Sequence, residues 1–418
     1  MGYGLLRKAL LLRMLIGVVG TLVPPAFASG EDSGMVSRVG VLERLVADDF
    51  VHRTSQDQFF LLTDDGQRIP LEPAEGPSAP PWVPGSRMRV TGPLRGRVLA
   101  VTSALRAAPA AGSAPSAPLA PGAKKVAVVL INFQNAPVEP WTPAEARVRI
   151  FTAPDSVNAY YQEQSGGAIS LTGSVANDGD VLGWYTIPYA SGGACDFTLW
   201  SAAAQSAAAA DGRDLSGYDY RIYVWAPVQS CGFAGFATAP GNDAWLNVQG
   251  LEFLSNVARH ELGHDFGLNH ASAWICTDDA GQRVPLSQTC VSAEYGDPFD
   301  VMGGGLHHMS NWHKGWLGFL DAAEAPAGTT RTLDGAGTFT LTIAPQERAQ
   351  PGTIQAVRIL DPTVPPTRTG PPVEYSYALE FRQPFGVFDA FAPTDAVVTG
   401  VSIRVAAVSG GASQNTHL

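Results

Sequence analysis

The chain has 418 residues, with 27 Lys and Arg against 38 Asp and Glu, a formal net charge of −11, and 45 Gly, 32 Pro and only 4 Cys. That acidic balance argues against nucleic acid or an anionic membrane surface as the main partner. The length allows more than one folded unit.

Residues 1–28 read as a secretory signal. Arg7, Lys8 and Arg13 give a basic start, Met14 to Val23 is an apolar run, and Ala26-Phe27-Ala28 is a small-x-small cleavage site. The run is too short to span a bilayer. A secreted, extracellular chain beginning near Ser29 is therefore expected, with 24 basic against 38 acidic residues and no membrane contact after cleavage.

Residues 29–105 carry short β-type runs: Val36–Val46, Phe59–Thr63, Met88–Thr91 and Val98–Val101, with Asp64-Asp65-Gly66 as a turn signal. They predict a small β-rich domain, either a barrel of the oligonucleotide/oligosaccharide-binding type or a pro-segment. Residues 106–122, almost only Ala, Pro, Ser and Gly, read as an extended linker open to processing.

Residues 123–320 mix strands and helices. Val126–Phe133 reads as a buried strand. Thr142-Pro143-Ala144-Glu145 opens a helix, with Thr142 as N-cap, that runs to about Gln164 with a break at Pro154. Ala168–Val175 and Tyr220–Trp225 read as strands, Phe197–Ala210 as an alanine-rich helix, and Trp245–Val248 as the approach to a further helix over about 251–266. Asn177-Asp178-Gly179-Asp180 lacks the remaining ligands of a calcium loop and reads as a plain turn. Cys195, Cys231, Cys276 and Cys290 allow three pairings, of which the sequence-local Cys195–Cys231 and Cys276–Cys290 are favoured. After about residue 320 the pattern turns β-rich, with Thr338–Ile343, Gln355–Leu360, Tyr375–Phe381 and Val397–Val405 as strands.

The chemistry concentrates in residues 260–270, His-Glu-Leu-Gly-His-Asp-Phe-Gly-Leu-Asn-His. His260 and His264, four apart, share one helix face. Glu261 projects beside them, where a general base for a metal-activated water belongs. Gly267 can end the helix in the left-handed conformation and return His270 as a third ligand. Three ligands leave the fourth position of a tetrahedral Zn²⁺ open, as in a catalytic site. Leu251, Leu254, Val257, Ala258, Leu262 and Phe266 recur at helical steps and give this helix a buried stripe.

Downstream, Tyr295-Gly296-Asp297-Pro298-Phe299-Asp300-Val301-Met302-Gly303 places a methionine in a tight glycine-rich turn. Together the two elements resemble the metzincin metallopeptidases, with HExxHxxGxxH followed by a Met-turn. The 295–303 segment, the His308–Gly318 segment and Tyr377–Pro384 are most similar to the gametolysin (autolysin) family within that clan.

The resemblance covers roughly residues 124–418 and implies an α+β fold. Its parts would be a metzincin-like catalytic domain with a mixed twisted sheet and an active-site helix, a small N-terminal β domain, and a β-rich region at 321–418 with more chain beyond Leu418. It further implies one Zn²⁺ held by His260, His264 and His270, Glu261 as base, Met302 beneath the metal, and Gly232–Ala239 at the edge strand lining the cleft. The expected activity is that of a secreted zinc endopeptidase cleaving extracellular or cell-wall proteins.

Two departures stand out. Gly304 occupies the place of the tyrosine that some metzincins carry two residues after the methionine, leaving Tyr295, His307, His308 and His313 as candidate oxyanion donors. No cysteine precedes Cys195, so a cysteine latch on the zinc is excluded; Asp32, Asp48, Asp49 or another acidic side chain could serve instead. Two rival readings are a zinc-containing adhesion or binding protein without catalysis, opposed by Glu261, and a zinc hydrolase of a non-peptide bond, opposed by the Met-turn.

Overall fold

Strand β1 (Met35–Asp49) begins the structure with Leu42, Leu45 and Val46 buried. The computed structural model describes residues 34–72, 82–107, 119–286, 290–321, 323, 325–360, 374–409, 412–413 and 416–418. The expected signal segment 1–28 lies outside the described residues, as do residues 108–118 of the expected linker.

After β1 come β2 (Thr54–Thr63), β3 (Arg68–Glu72), β4 (Arg87–Arg95), β5 (Val98–Ala100) and β6 (Ser103–Arg106). The turn signal at 64–66 joins β2 to β3, and Gly66 adopts the φ of 80° that a side chain would oppose. β1 pairs antiparallel with both β2 and β4, β2 with β3, β3 parallel with β5, and β5 with β4. These pairings close a five-stranded ring around Leu42, Leu61, Leu71, Met88, Val90, Leu99 and Val101.

The next strand, β7 (Gly122–Phe133), is buried from Val126 onward, as its unbroken apolar run requires. Helix α1 (Pro143–Arg147) starts on a reciprocal cap, with the Glu145 N–H donating to Thr142 Oγ1 and the Thr142 N–H to Glu145 Oε2. The chain widens through Val148–Thr152, breaks past Pro154 and resumes as α2 (Val157–Gln164). There follow β8 (Ile169–Thr172), β9 (Asp180–Ile187), α3 (Phe197–Ala210), β10 (Tyr220–Trp225), β11 (Gly235–Thr238) and β12 (Asp243–Asn247). The Asp180 carboxylate accepts from the N–H groups of Ser174, Val175 and Ala176 and from the Tyr218 hydroxyl, so protein donors satisfy that turn.

These strands form one sheet in the order β6-β4-β5-β3-β2-β1-β11-β12-β10-β7-β8, with β9 also on β7. The resemblance placed residues 232–239 at an edge strand. Here β11 has β12 on one side and β1 on the other, because β1 outruns the ring and pairs antiparallel with it from Leu45↔Thr238 to Asp48↔Gly235.

A second sheet takes β13 (Ala271–Ile275) and β14 (Val291–Ala293) from the region of the histidines. After helix α5 (Asn311–Leu317) it adds β15 (Thr330–Asp334), β16 (Ala356–Leu360) and β17 (Glu374–Glu380). Helix α6 (Ala396–Thr399) precedes β18 (Ser402–Ser409), β19 (Ala412–Ser413) and β20 (Thr416–His417). The order is β14-β13-β20-β18-β17-β16-β15, with β19 on β18.

Two expected strands differ. Residues 338–343 lie exposed or half-buried in no strand, and Val397–Val405 divides at Gly400 into α6 and β18. The whole is a mixed α+β structure with two sheets and few helices. Disulfides join Cys195 to Cys231 and Cys276 to Cys290. Among the described residues no helix is long and apolar enough to cross a membrane.

Candidate metal centre

Helix α4 (Leu251–Asp265) packs Leu254, Val257, Ala258 and Leu262 into the main core. Its other face carries His260 and His264 one turn apart. The helix stops where glycine permits: Gly267 takes φ 96°, and its N–H donates to the His264 carbonyl. Three residues later His270 has turned back to face both.

Each ring is fixed through Nδ1. His260 Nδ1 lies 2.8 Å from the Val301 carbonyl, His264 Nδ1 2.8 Å from the Leu268 carbonyl, and His270 Nδ1 2.5 Å from Glu294 Oε1. Because the acceptors are oxygens, each Nδ1 carries a proton, and each Nε2 points inward, where it can offer a lone pair to a cation. The Nε2 atoms of His264 and His260 are 3.2 Å apart, and those of His264 and His270 3.0 Å. Lone pairs brought so close repel unless a cation lies among them. A tetrahedral zinc with bonds of ~2.0–2.1 Å sets its ligands about 3.3 Å apart, so the set fits such an ion.

A fourth group completes the cluster. Asp48 Oδ2 lies 3.2 Å from His264 Nε2 and 3.5 Å from His260 Nε2, and Oδ1 lies 3.0 Å from His270 Nε2. The four ligand atoms fall within 4.8 Å of one another, and all four residues are buried. Asp48 comes from the end of β1, far from the histidines in sequence; Asp49 turns away to His52, and Asp32 lies outside the described residues.

The electrostatics ask for positive charge. Burial pushes the His260 imidazole down to about 3, despite Asp48, and lowers that of His264. Burial also opposes charge on His270, but the Asp48 and Glu294 carboxylates outweigh it and raise that ring to about 9. Asp48 in turn is held well below the usual carboxylate range: burial disfavours its charge, and His270 and His264 overcome that.

Glu261 is fully buried beside this cluster, and neither carboxylate oxygen finds a hydrogen-bond partner among the described residues. Burial, reinforced by the charge of Asp48, holds its carboxyl well above the usual range. Gly235 of β11 makes room for it, since a Cβ there would run into Glu261 Oε1.

Met302 is buried beneath the helix and packs its sulfur against Gly263, where a Cβ would collide with it. Its turn is held by carboxylates: Asp300 Oδ1 accepts the Met302 N–H at 2.9 Å, and Asp300 Oδ2 accepts from the Ser310 N–H and from His313 Nδ1. Asp297 pairs with Arg404 at 2.7 Å.

Of the four candidate oxyanion donors the structure brings one to the centre. The Tyr295 ring centroid lies 4.6 Å from that of His270, and its hydroxyl donates to Asp48 Oδ1 at 2.6 Å. His307 faces the Phe388 carbonyl, His308 faces Glu163, and His313 faces Asp300. Glu294, the partner of His270, was missed in the sequence; its signal is adjacency to Tyr295, whose φ of 54° turns the chain so that both side chains reach the cluster.

Residues 170–363 match the family described as gametolysin peptidase M11. M11 peptidases are zinc metalloendopeptidases, so the chain is of the hydrolase class and the family implies protein substrates. The M11 segment runs from β8 to just past β16; it contains the three histidines, Glu261 and Met302 but not Asp48. No curated protein matches the chain.

Proposed function

We propose that this chain is a secreted, metzincin-like zinc endopeptidase acting on extracellular or cell-wall proteins. In this reading residues 123–320 form its catalytic domain, with the ring of residues 29–105 before it and residues 321–418 after it. His260, His264 and His270 hold the metal, Glu261 is the general base and Met302 forms the floor. The observation that carries the reading is the convergence of three Nε2 lone pairs, each fixed by an Nδ1 contact to oxygen. Imidazoles whose Nε2 atoms converge, with a carboxylate nearby, are a donor set suited to zinc.

Bound there, zinc supplies Lewis acidity to a peptide carbonyl and to water. Glu261 takes the proton of the attacking water on its carboxylate and returns it to the leaving nitrogen. The Tyr295 hydroxyl is placed to donate to an oxygen standing where the Asp48 carboxylate now stands. The Nδ1 contacts to Val301, Leu268 and Glu294 keep the three rings in one tautomer throughout.

The test is metal stoichiometry by native mass spectrometry together with cleavage of an unfolded protein, by the intact chain and by chain nicked between residues 106 and 122. One zinc per chain and chelator-sensitive cleavage are expected. A chain that binds no zinc, or cleavage indifferent to chelator, overturns the reading; zinc without any cleavage favours the non-catalytic binding protein.

A further inference from the structure

The residues before the M11 segment contact the metal centre in four ways that the peptidase reading leaves unused. Asp48 directs its carboxylate at all three Nε2 atoms. β1 occupies β11: the Ala239 N–H donates to the Arg44 carbonyl and the Ala234 N–H to the Asp48 carbonyl, both at 2.8 Å. Phe50 stands edge-on to His260 with ring centroids 4.9 Å apart. The Tyr295 hydroxyl is spent on Asp48.

We propose that the N-terminal β unit holds the enzyme latent, with Asp48 as a removable fourth ligand of the metal and Leu45–Asp48 lying as a strand where an extended substrate would pair with β11. The proposal rests on the metal site argued above.

The chemistry of the blocking group explains why the enzyme tolerates it. A carboxylate side chain, not a peptide carbonyl, faces the histidines, so the position that would polarise a scissile bond holds a group with no bond to cleave. A peptide adding to β11 requires the Ala234 and Ala239 N–H groups, and both are taken.

Side-chain anchors add to the strand pairing. Arg44 Nη1 donates to Asn269 Oδ1 at 2.5 Å, beside His270. Arg68 of β3 pairs with Asp243 of β12 at 2.5 Å. Leu45 and Phe60 join the core cluster of Phe197, Phe236 and Trp245. The contact is thus a packed interface with one metal-directed side chain at its end, and it buries the centre completely.

The experiment uses the intact zinc-loaded chain and a small hydroxamate, which binds a metal only where coordination positions are open. Wild type, Asp48→Ala, the near-isosteric Asp48→Asn and the control Asp49→Asn are compared for zinc content, hydroxamate dissociation constant and cleavage of an unfolded protein. Full zinc content in all four is expected. Hydroxamate should bind both Asp48 variants at least 100-fold more tightly than wild type, with a smaller gain in cleavage because the backbone of β1 still lies on β11, while Asp49→Asn behaves as wild type.

Equal hydroxamate affinity, within threefold, in wild type and both Asp48 variants overturns the proposal and leaves the metal site standing. Loss of zinc from the Asp48 variants alone marks Asp48 as a permanent ligand and also overturns it. Absence of zinc from every chain, wild type included, defeats the metal-site reading on which the proposal stands.

Discussion

The Tyr295 hydroxyl donates a 2.6 Å hydrogen bond to Asp48, a residue 247 positions earlier in the chain. The bond runs from the segment leading into the Met302 turn to the end of β1. Tyr295→Phe removes the donor and leaves a buried carboxylate oxygen without it. Hydrogen bonds to charged groups contribute about 1.5–3 kcal/mol, so denaturant unfolding of the intact chain should show a loss in that range. The variant should also bind hydroxamate more tightly than wild type, since its Asp48 is less firmly held. An unchanged midpoint and unchanged hydroxamate affinity would show that the contact contributes nothing to the closed state.

Gly263 gives a prediction of unusual sign. Glycine inside a helix normally costs roughly 0.5–1 kcal/mol relative to alanine. At this position a Cβ would meet the Met302 sulfur, with the Met309 methyl 3.5 Å away. Gly263→Ala should therefore destabilise, by about 1–3 kcal/mol as overpacking does. Combining it with Met302→Ala should cost clearly less than the sum of the two single changes, which a double-mutant cycle measures. Additive losses would separate Met302 from the ligand helix.

Much of this arrangement was legible beforehand because it is local. The His260–His264 spacing, the stop at Gly267, the Thr142–Glu145 cap and helix 197–210 each depend on residues within a few positions of one another. Asp48 is different. Asp32, Asp48, Asp49 and any other acidic side chain before the linker were open as a latch, and choosing among them needs the pairing of β1 with β11 across nearly two hundred residues. One signal was present: Val46 and Asp48 share a strand face, so β1 ends by placing a carboxylate where its pattern calls for a buried apolar side chain. The segment 338–343 misled for the converse reason. Its alternation is that of a strand, but among the described residues no strand pairs with it, and alternation alone cannot report a missing partner.

Glu261 separates binding from chemistry. In a chain carrying Asp48→Asn, the further change Glu261→Gln keeps the shape of the side chain and removes its ability to accept a proton from water. Zinc content and hydroxamate affinity should stay within a fewfold, while cleavage of an unfolded protein should fall by about 10²–10⁴-fold, the contribution usual for a positioned general base. Cleavage surviving at the parent rate would assign the proton transfer to another group.

Asp300 ties the Met302 turn to pH. Burial disfavours its charge, but His313 and the Ser310 N–H outweigh that and hold the carboxyl below the usual range. A carboxylate with a depressed folded pKa stabilises the fold at pH values above its unfolded pKa of ~3.9, and that stabilisation is lost as pH falls toward the folded value. Asp300→Asn removes one partner of a buried pair and should cost about 3 kcal/mol at neutral pH. Measured in excess chelator, so that metal release does not contribute, the gap in unfolding free energy between wild type and variant should be flat above about pH 5 and shrink below about pH 4. A gap that closes instead between pH 6 and 8 would place the titration on a histidine and not on Asp300.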